Sequence, residues 1–426
     1  MSNDQPRFSE LFENYDLHSP VVNEHYDEVI DELHRHCPVA RSNDGEGYWV
    51  VNRYADVQRC AQDWQTFTSI DGFMPNRPPD MPFWAPVECD PPFHDELRNA
   101  LNPYFGPKVV AEQEQVVHRL ANELIDEFFD DGYVEAMSQF SNALAARVFC
   151  TIVAGMSEDE APFLRSTFQT GMHGAPEERA PAMLRAHEYI SKYLAKRKEE
   201  PARGDVVDAL LSFEPTQLQG APGRAASFEW EDKVGVLSQL SMAALGTTGS
   251  VFGGGIYYLA THADDRRRLR DNPSLLRVAV EEFLRLNASA PLVGRRATAD
   301  TEVAGTLIRK GDFAMMNYGA ASRDPLVSPN PTKTDIERSP NRHLAFGAGT
   351  HRCIGSHLAR LELRVGIATF LSRIPEFRVP DGFVPRFHTG ITRDMIELPI
   401  IFDSEVASPT SGTPGAPKST AAAGTS

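Results

Sequence analysis

The chain is short of paired cysteines, of basic charge and of internal linkers. Its five cysteines, Cys37, Cys60, Cys89, Cys150 and Cys353, stand far apart, and no two have C-x-x-C spacing. That spacing argues against a zinc site and a disulfide framework, and fits a reducing compartment. Lys and Arg number 42 against 59 Asp and Glu, a formal charge of −17. Nucleic acid and anionic membranes are poor partners for such a chain. Met1-Ser2-Asn3-Asp4-Gln5-Pro6 holds no basic segment leading into an apolar run, so neither a signal peptide nor a membrane anchor is expected, and a cytoplasmic location is. No Pro/Gly/Ser-rich stretch divides the 426 residues before Ser404, which predicts one large domain over residues 1–403. Residues 404–426 are mostly Ser, Thr, Ala, Pro and Gly and are expected to form a disordered tail.

Helical periodicity dominates the rest. Val117, Leu120, Ala121, Leu124 and Phe128 mark one face of a helix closed by Gly132, and Leu144, Val148 and Ile152 mark another. Strand signals are short: Tyr48 to Asn52, and Thr301 to Asn317, where Gly305 and Gly311 punctuate apolar runs. The expected class is mostly α with minor β-sheets. From Val236 to Ala260 the chain is nearly all apolar or small, but Gln239, Ser241, Thr247, Thr248, Ser250 and five glycines argue against a membrane span. An interior helix glycine costs about 1 kcal/mol relative to Ala, so this density predicts close packing or a cofactor against the backbone.

The most specific signal is Phe346-Gly347-Ala348-Gly349-Thr350-His351-Arg352-Cys353-Ile354-Gly355, directly before the helical pattern Leu358-Ala359-Arg360-Leu361-Glu362-Leu363. Glycines admit positive φ and a close approach to a flat group. Backbone amides and the start of the following helix stabilise a thiolate. The pattern resembles the haem-ligand signature of the cytochrome P450 family.

That resemblance implies the P450 fold, a haem b (iron protoporphyrin IX) ligated by Cys353, and a soluble enzyme of bacterial type. Other segments match in the family's order. Glu282 and Arg285 match its ExxR helix, with Arg323 or Arg338 as the third member of the network. His94, Arg98, Arg295 and His351 match its haem-propionate contacts, and His343 fits the pattern before the signature. The run Ala243-Ala244-Leu245-Gly246-Thr247 matches the helix crossing the distal haem face, but Gly246 stands where the family has an acid. Thr247 and Gly246 are therefore the candidate catalytic positions, and proton delivery through water held by Thr247, help from a substrate polar group, and direct entry of hydrogen peroxide all stay open.

Phe73 to Trp84 lies where the family has a substrate-covering loop. Phe163, Phe168, Met172, Leu245, Ala290, Leu292, Val293 and Ile391 fall at expected pocket positions. They carry no anchor charge, which predicts a small apolar substrate. Arg338, Arg342, Arg352, Arg360 and Arg364 face a single carboxylate, Glu362, between residues 338 and 364. Those not needed by propionates or fold would dock an acidic ferredoxin. The expected reaction is insertion of one atom of O2, as hydroxylation or oxidative O-demethylation, with electrons from ferredoxin and an NAD(P)H-dependent ferredoxin reductase. A peroxide-dependent peroxygenase and a non-catalytic haem sensor or carrier are the alternatives.

Overall fold

A computed structural model describes residues 10–77, 84–221, 227–388 and 390–405. The expected tail lies outside these residues apart from Ser404 and Glu405, as does much of the expected substrate-covering loop, Pro78 to Phe83.

The architecture is helical, with three small sheets at its margins. The first has five strands in the order β1 (Val39–Ser42), β2 (Tyr48–Val51), β8 (Phe313–Asn317), β5 (Leu292–Ala297), β3 (Phe67–Thr68). Only β2 and β8 in it run parallel, pairing Tyr48 with Phe313. The second orders β4 (Tyr133–Glu135), β10 (Pro399–Phe402) and β9 (Phe377–Arg378), and the third pairs β6 (Thr301–Val303) with β7 (Thr306–Ile308). The strand signal from Thr301 to Asn317 thus divides between two sheets, because Gly305 and Gly311 turn the chain at φ +81° and +92°.

The two periodic helices form as their patterns predict. Val117, Leu120, Ala121, Leu124 and Phe128 are all buried, but the helix Glu114–Asp126 ends before Phe128, and a short 3-10 turn, Phe129–Asp131, leads on to Gly132 at φ +62°. The second pattern falls on the helix Asn142–Val148, continued as wider π-helical turns on both sides.

The central helix, Trp230–Thr261, runs through the main core. Its glycines explain how closely it is packed. A Cβ at Gly249 would meet Asn142 Oδ1 at 2.0 Å, one at Gly253 the Met137 sulfur at 2.1 Å, and one at Gly254 the Asn287 side chain at 2.4 Å. Nearby, the Phe140 ring packs 5.3 Å from Phe252 and 5.2 Å from Phe370, tying the central helix to the helix Ser356–Arg373 that follows the cysteine loop. Among the described residues no helix is long and apolar enough to cross a membrane.

Candidate active site

The cysteine loop is held by its own backbone. Cys353 N–H donates to Phe346 O at 2.9 Å, Gly347 N–H to Leu344 O at 2.8 Å, and Arg352 N–H to Gly349 O at 3.1 Å. Gly347 and Gly349 sit at φ +68° and +71°, where a side chain would strain the turn, and a Cβ at Gly349 would also strike Ala61 O at 2.6 Å. The loop thereby aims the sulfur into a cavity of ≈ 270 Å³ under the central helix. Leu240, Ala243, Thr247, Thr248 and Val251 line one side of it, and Phe346, Cys353, Ile354 and Leu358 the other. Cys353 is exposed only in the sense that it opens onto this cavity. The sulfur lies deep in the protein, so burial pushes its thiol up, opposed by the Gly355 N–H and by Arg98, Arg352 and Arg360.

One edge of the cavity gathers positive and basic groups. β5 alternates faces, so Val293 and Arg295 both look inward while Gly294 packs against Phe313. Arg295 is buried and donates to its neighbour's carbonyl, Gly294 O, at 2.6 Å. His94 and Arg98 share a face of the helix Phe93–Leu101. His94 bonds Asp95 through Nδ1 at 2.9 Å, while its buried Nε2 has no hydrogen-bond partner among the described residues. The His94 and His351 ring centres lie 4.4 Å apart, and His351 Nε2 is 3.0 Å from Ser69 Oγ. Arg98 Nη1 donates to Arg352 O at 3.0 Å, beside the cysteine.

Burial lowers the pKa of Arg295, His94, Arg98 and His351 alike, and the charges of Arg295, His94 and Arg98 push His351 down further. The nearby acid Asp90 already accepts from Ser69 N at 3.0 Å and from the Thr68 hydroxyl. Four desolvated basic groups with an orphaned ring nitrogen are the counterpart of a bound dianion. This donor set fits the two carboxylates of a haem, and the glycine loop fits its flat face.

The ExxR expectation resolves in favour of Arg338. Glu282 and Arg285 are both fully buried and joined by paired bonds of 2.8 Å. Arg338 Nε reaches Glu282 Oε2 at 3.0 Å, and Asn341 and the Asp335 amide complete the carboxylate at 3.0 and 2.9 Å. Arg323 instead donates to Leu286 O and faces Asp27. Adjacent Glu281 binds Arg360 at 2.6 and 2.8 Å and His343 at 3.0 Å, linking this helix to the cysteine loop. Burial opposes its ionisation, yet these partners hold Glu281 down to about 2. Of the five arginines that stood out in the sequence, Arg338, Arg360 and Arg364 are thus committed to Glu282, Glu281 and Glu114. Arg342 and Arg352 stay exposed.

Above the cavity lies a second pocket, of ≈ 220 Å³. Val87, Ala243, Thr247, Ala290 and Val293 line both spaces, so the pocket opens directly over the cysteine cavity. Phe168, Met172, Leu245, Leu292 and Ile391 line it as expected. Phe163 does not: its ring turns out to solvent, against Tyr189. One further expectation is narrowed and one corrected. Gly246 lines the pocket, and a Cβ there would have no neighbour within 4 Å, so this glycine is not closely packed. The pocket also carries ionisable groups, Arg165 and His173 from the helix Ala161–His173 and Asp394 from a distant part of the chain.

Thr247 Oγ1 donates to Ala243 O at 2.7 Å, which leaves its lone pairs to accept from the pocket. The sequence marks Glu362 as the single carboxylate among five arginines but not its place in the fold. Glu362 is buried, lines the cysteine cavity and has no hydrogen bond or ion pair among the described residues; burial alone pushes its carboxyl well above the ordinary range.

A thiol on a glycine loop, beneath a long helix and beside a rim of basic groups, is the arrangement of proteins built around a thiolate-ligated haem. The comparisons agree. The family model described as cytochrome P450 matches residues 173–382. The probable cytochrome P450 127A1 of Sinorhizobium fredii is 32% identical, over 82% of this chain and 82% of its own length. The mycinamicin IV hydroxylase/epoxidase of Micromonospora griseorubida is 30% identical, over 87% and 94%. Among solved structures, P450BioI in complex with acyl carrier protein ligated to hexadec-9Z-enoic acid superposes with a TM-score of 0.78 at 25% identity, covering 90% of this chain and 100% of that one. The chain belongs to the cytochrome P450 family, and it is a monooxygenase of that family.

Proposed function

We propose that this P450 inserts one atom of O2 into a small organic substrate with a largely apolar body, by hydroxylation or oxidative O-demethylation. In this reading ferredoxin and an NAD(P)H-dependent reductase supply the electrons. The observation that carries it is the shared wall: the apolar pocket meets the cysteine cavity at Ala243, Thr247, Ala290 and Val293.

Cys353 would ligate the haem iron, and His94, Arg98, Arg295 and His351 would hold its propionates. When bound, the haem supplies the redox chemistry of oxygen activation. The chain's own residues position substrate and manage protons. Leu245, Leu292 and Val293 orient an apolar body and exclude water. Thr247 Oγ1, whose proton is committed to Ala243 O, accepts a hydrogen bond from a water or a substrate hydroxyl in the open space beside Gly246.

A second oxidant, hydrogen peroxide, is favoured by one specific observation: position 246 carries no acid and has space around it. Turnover of a substrate panel separates the readings. Product that requires ferredoxin, reductase and NAD(P)H supports the monooxygenase. Equal turnover with peroxide alone transfers the reading to a peroxygenase, and none with either oxidant leaves a haem carrier. Gly246→Asp is expected to raise the fraction of NAD(P)H that appears as product and to weaken peroxide-driven turnover, because it restores an acid where there is room for one.

A further inference from the structure

One charge in the pocket above the cysteine cavity has no counter-ion among the described residues. Arg165 belongs to the helix Ala161–His173 and shares its pocket-lining face with Phe168, Gln169 and Met172, three, four and seven residues on. Its Nη1 donates to Ser138 O. Among the described residues no carboxylate lies within ion-pair distance of it. A guanidinium has five N–H donors in a fixed fork, so most of this one is uncommitted.

The acids nearby are already engaged. Burial is the main influence on Arg165 and disfavours its cation; Glu135 opposes that from beyond contact. Glu135 spends its oxygens on the backbone amides of Leu398 at 2.7 Å, Ser138 at 2.7 Å and Met137 at 3.1 Å. The pocket's own acid, Asp394, accepts from His173 at 3.1 Å and from Ser289 at 2.8 Å, with the His388 ring stacked 4.1 Å from that of His173. Arg165 is therefore a positive charge with no ion-pair partner among the described residues, in a pocket whose one lining acid, Asp394, is already engaged and in a chain of net charge −17.

We propose that Arg165 anchors a carboxylate of the substrate, so that the preferred substrate class is an organic acid with an apolar body. The acid pairs with the guanidinium fork, the body lies against Phe168, Met172 and Leu245, and the carbon to be oxidised points toward Thr247. A carboxylate matches the fork in shape as well as charge, and low local polarity strengthens the pair. An ester of the same skeleton gains neither. The inference rests on the monooxygenase reading of this pocket.

The test uses the haem-loaded protein and a panel of alkanoic and arylalkanoic acids, each with its methyl ester and the primary amine of the same skeleton. Binding is read from the optical shift of the haem and by calorimetry. Acids are expected to bind about tenfold or more tightly than their esters, and Arg165→Gln to shrink that ratio to about twofold or less. Arg165→Lys, which keeps the charge, retains part of the preference and guards against a folding defect. Arg165→Glu, which a merely structural role would not predict to do so, turns the preference toward the amines. An absence of acid preference across the wild-type panel, or a preference that survives Arg165→Gln, overturns the proposal. Loss of turnover with every substrate and oxidant would instead undo the monooxygenase reading, so the two failures are distinguishable.

Discussion

Glu362 is a buried carboxyl in the cavity wall with no partner among the described residues, and its protonation couples to stability. Its folded pKa lies well above the ordinary value of 4.5, so the folded state keeps a proton that the unfolded chain releases. Stability must then fall as pH rises from that ordinary value toward the folded one, by about 1.4 kcal/mol per unit of displacement traversed. Glu362→Gln removes this dependence, and the melting-temperature advantage of the variant should grow between about pH 5 and about pH 8. An equal advantage at both pH values would mean that the carboxyl finds a partner in solution. In the sequence Glu362 stands as the one carboxylate among five arginines; Arg360 and Arg364, two residues away in either direction, lie about 200° round the helix, where Glu281 and Glu114 take them. Cys353, Arg295 and His351 were legible because a local motif or a neighbouring pair encodes them. Arg165, His173 and Asp394 were not, since His173 and Asp394 meet across 221 residues of chain.

Within the central helix, the glycines look alike in the sequence and behave differently in the fold. Gly246, Gly249 and Gly253 follow one stripe. Along it Gly253 meets Met137 and Gly249 meets Asn142, but a Cβ at Gly246 would have no neighbour within 4 Å among the described residues, and this glycine lines the pocket. Composition predicts close packing or a cofactor against the backbone for all of them; close packing holds from Gly249 to Gly255, and at Gly246 it does not. Gly246→Ala should leave thermal stability unchanged or raise it by up to about 1 kcal/mol, the intrinsic helix gain. Gly254→Ala should lower it by about 1–3 kcal/mol, because the new methyl must displace the Asn287 side chain. Denaturant melts of both variants check this, and equal effects would contradict the open space at position 246. The helix patterns and the strand at Tyr48 were readable from periodicity. The π-helical turns flanking Asn142–Val148 were not, because they keep the apolar spacing of an ordinary helix.

Across the whole molecule the net charge of −17 repels an acidic ferredoxin, so docking needs a local exception. Pairing with Glu281, Glu282 and Glu114 removes three of the five arginines near the thiolate from that role. Arg352, exposed and adjacent to Cys353, remains. Arg352→Glu should slow electron transfer from an acidic ferredoxin several-fold at low salt, and raising the ionic strength should bring the wild-type rate down toward that of the variant. Stopped-flow reduction at two salt concentrations reads both effects. Identical rates and identical salt dependence would leave Arg352 outside the docking surface.

The fold, the rim of basic groups and the shared wall between pocket and cavity all take their meaning from one sulfur. The reduced, carbon monoxide-bound spectrum of the purified protein reports directly on that ligand. Wild type is expected to show the thiolate-type band, and Cys353→Ser to lose it, because a hydroxyl does not replace a thiolate on iron. Persistence of the band in Cys353→Ser, with its loss on replacing Cys37, Cys60, Cys89 or Cys150, would contradict the account.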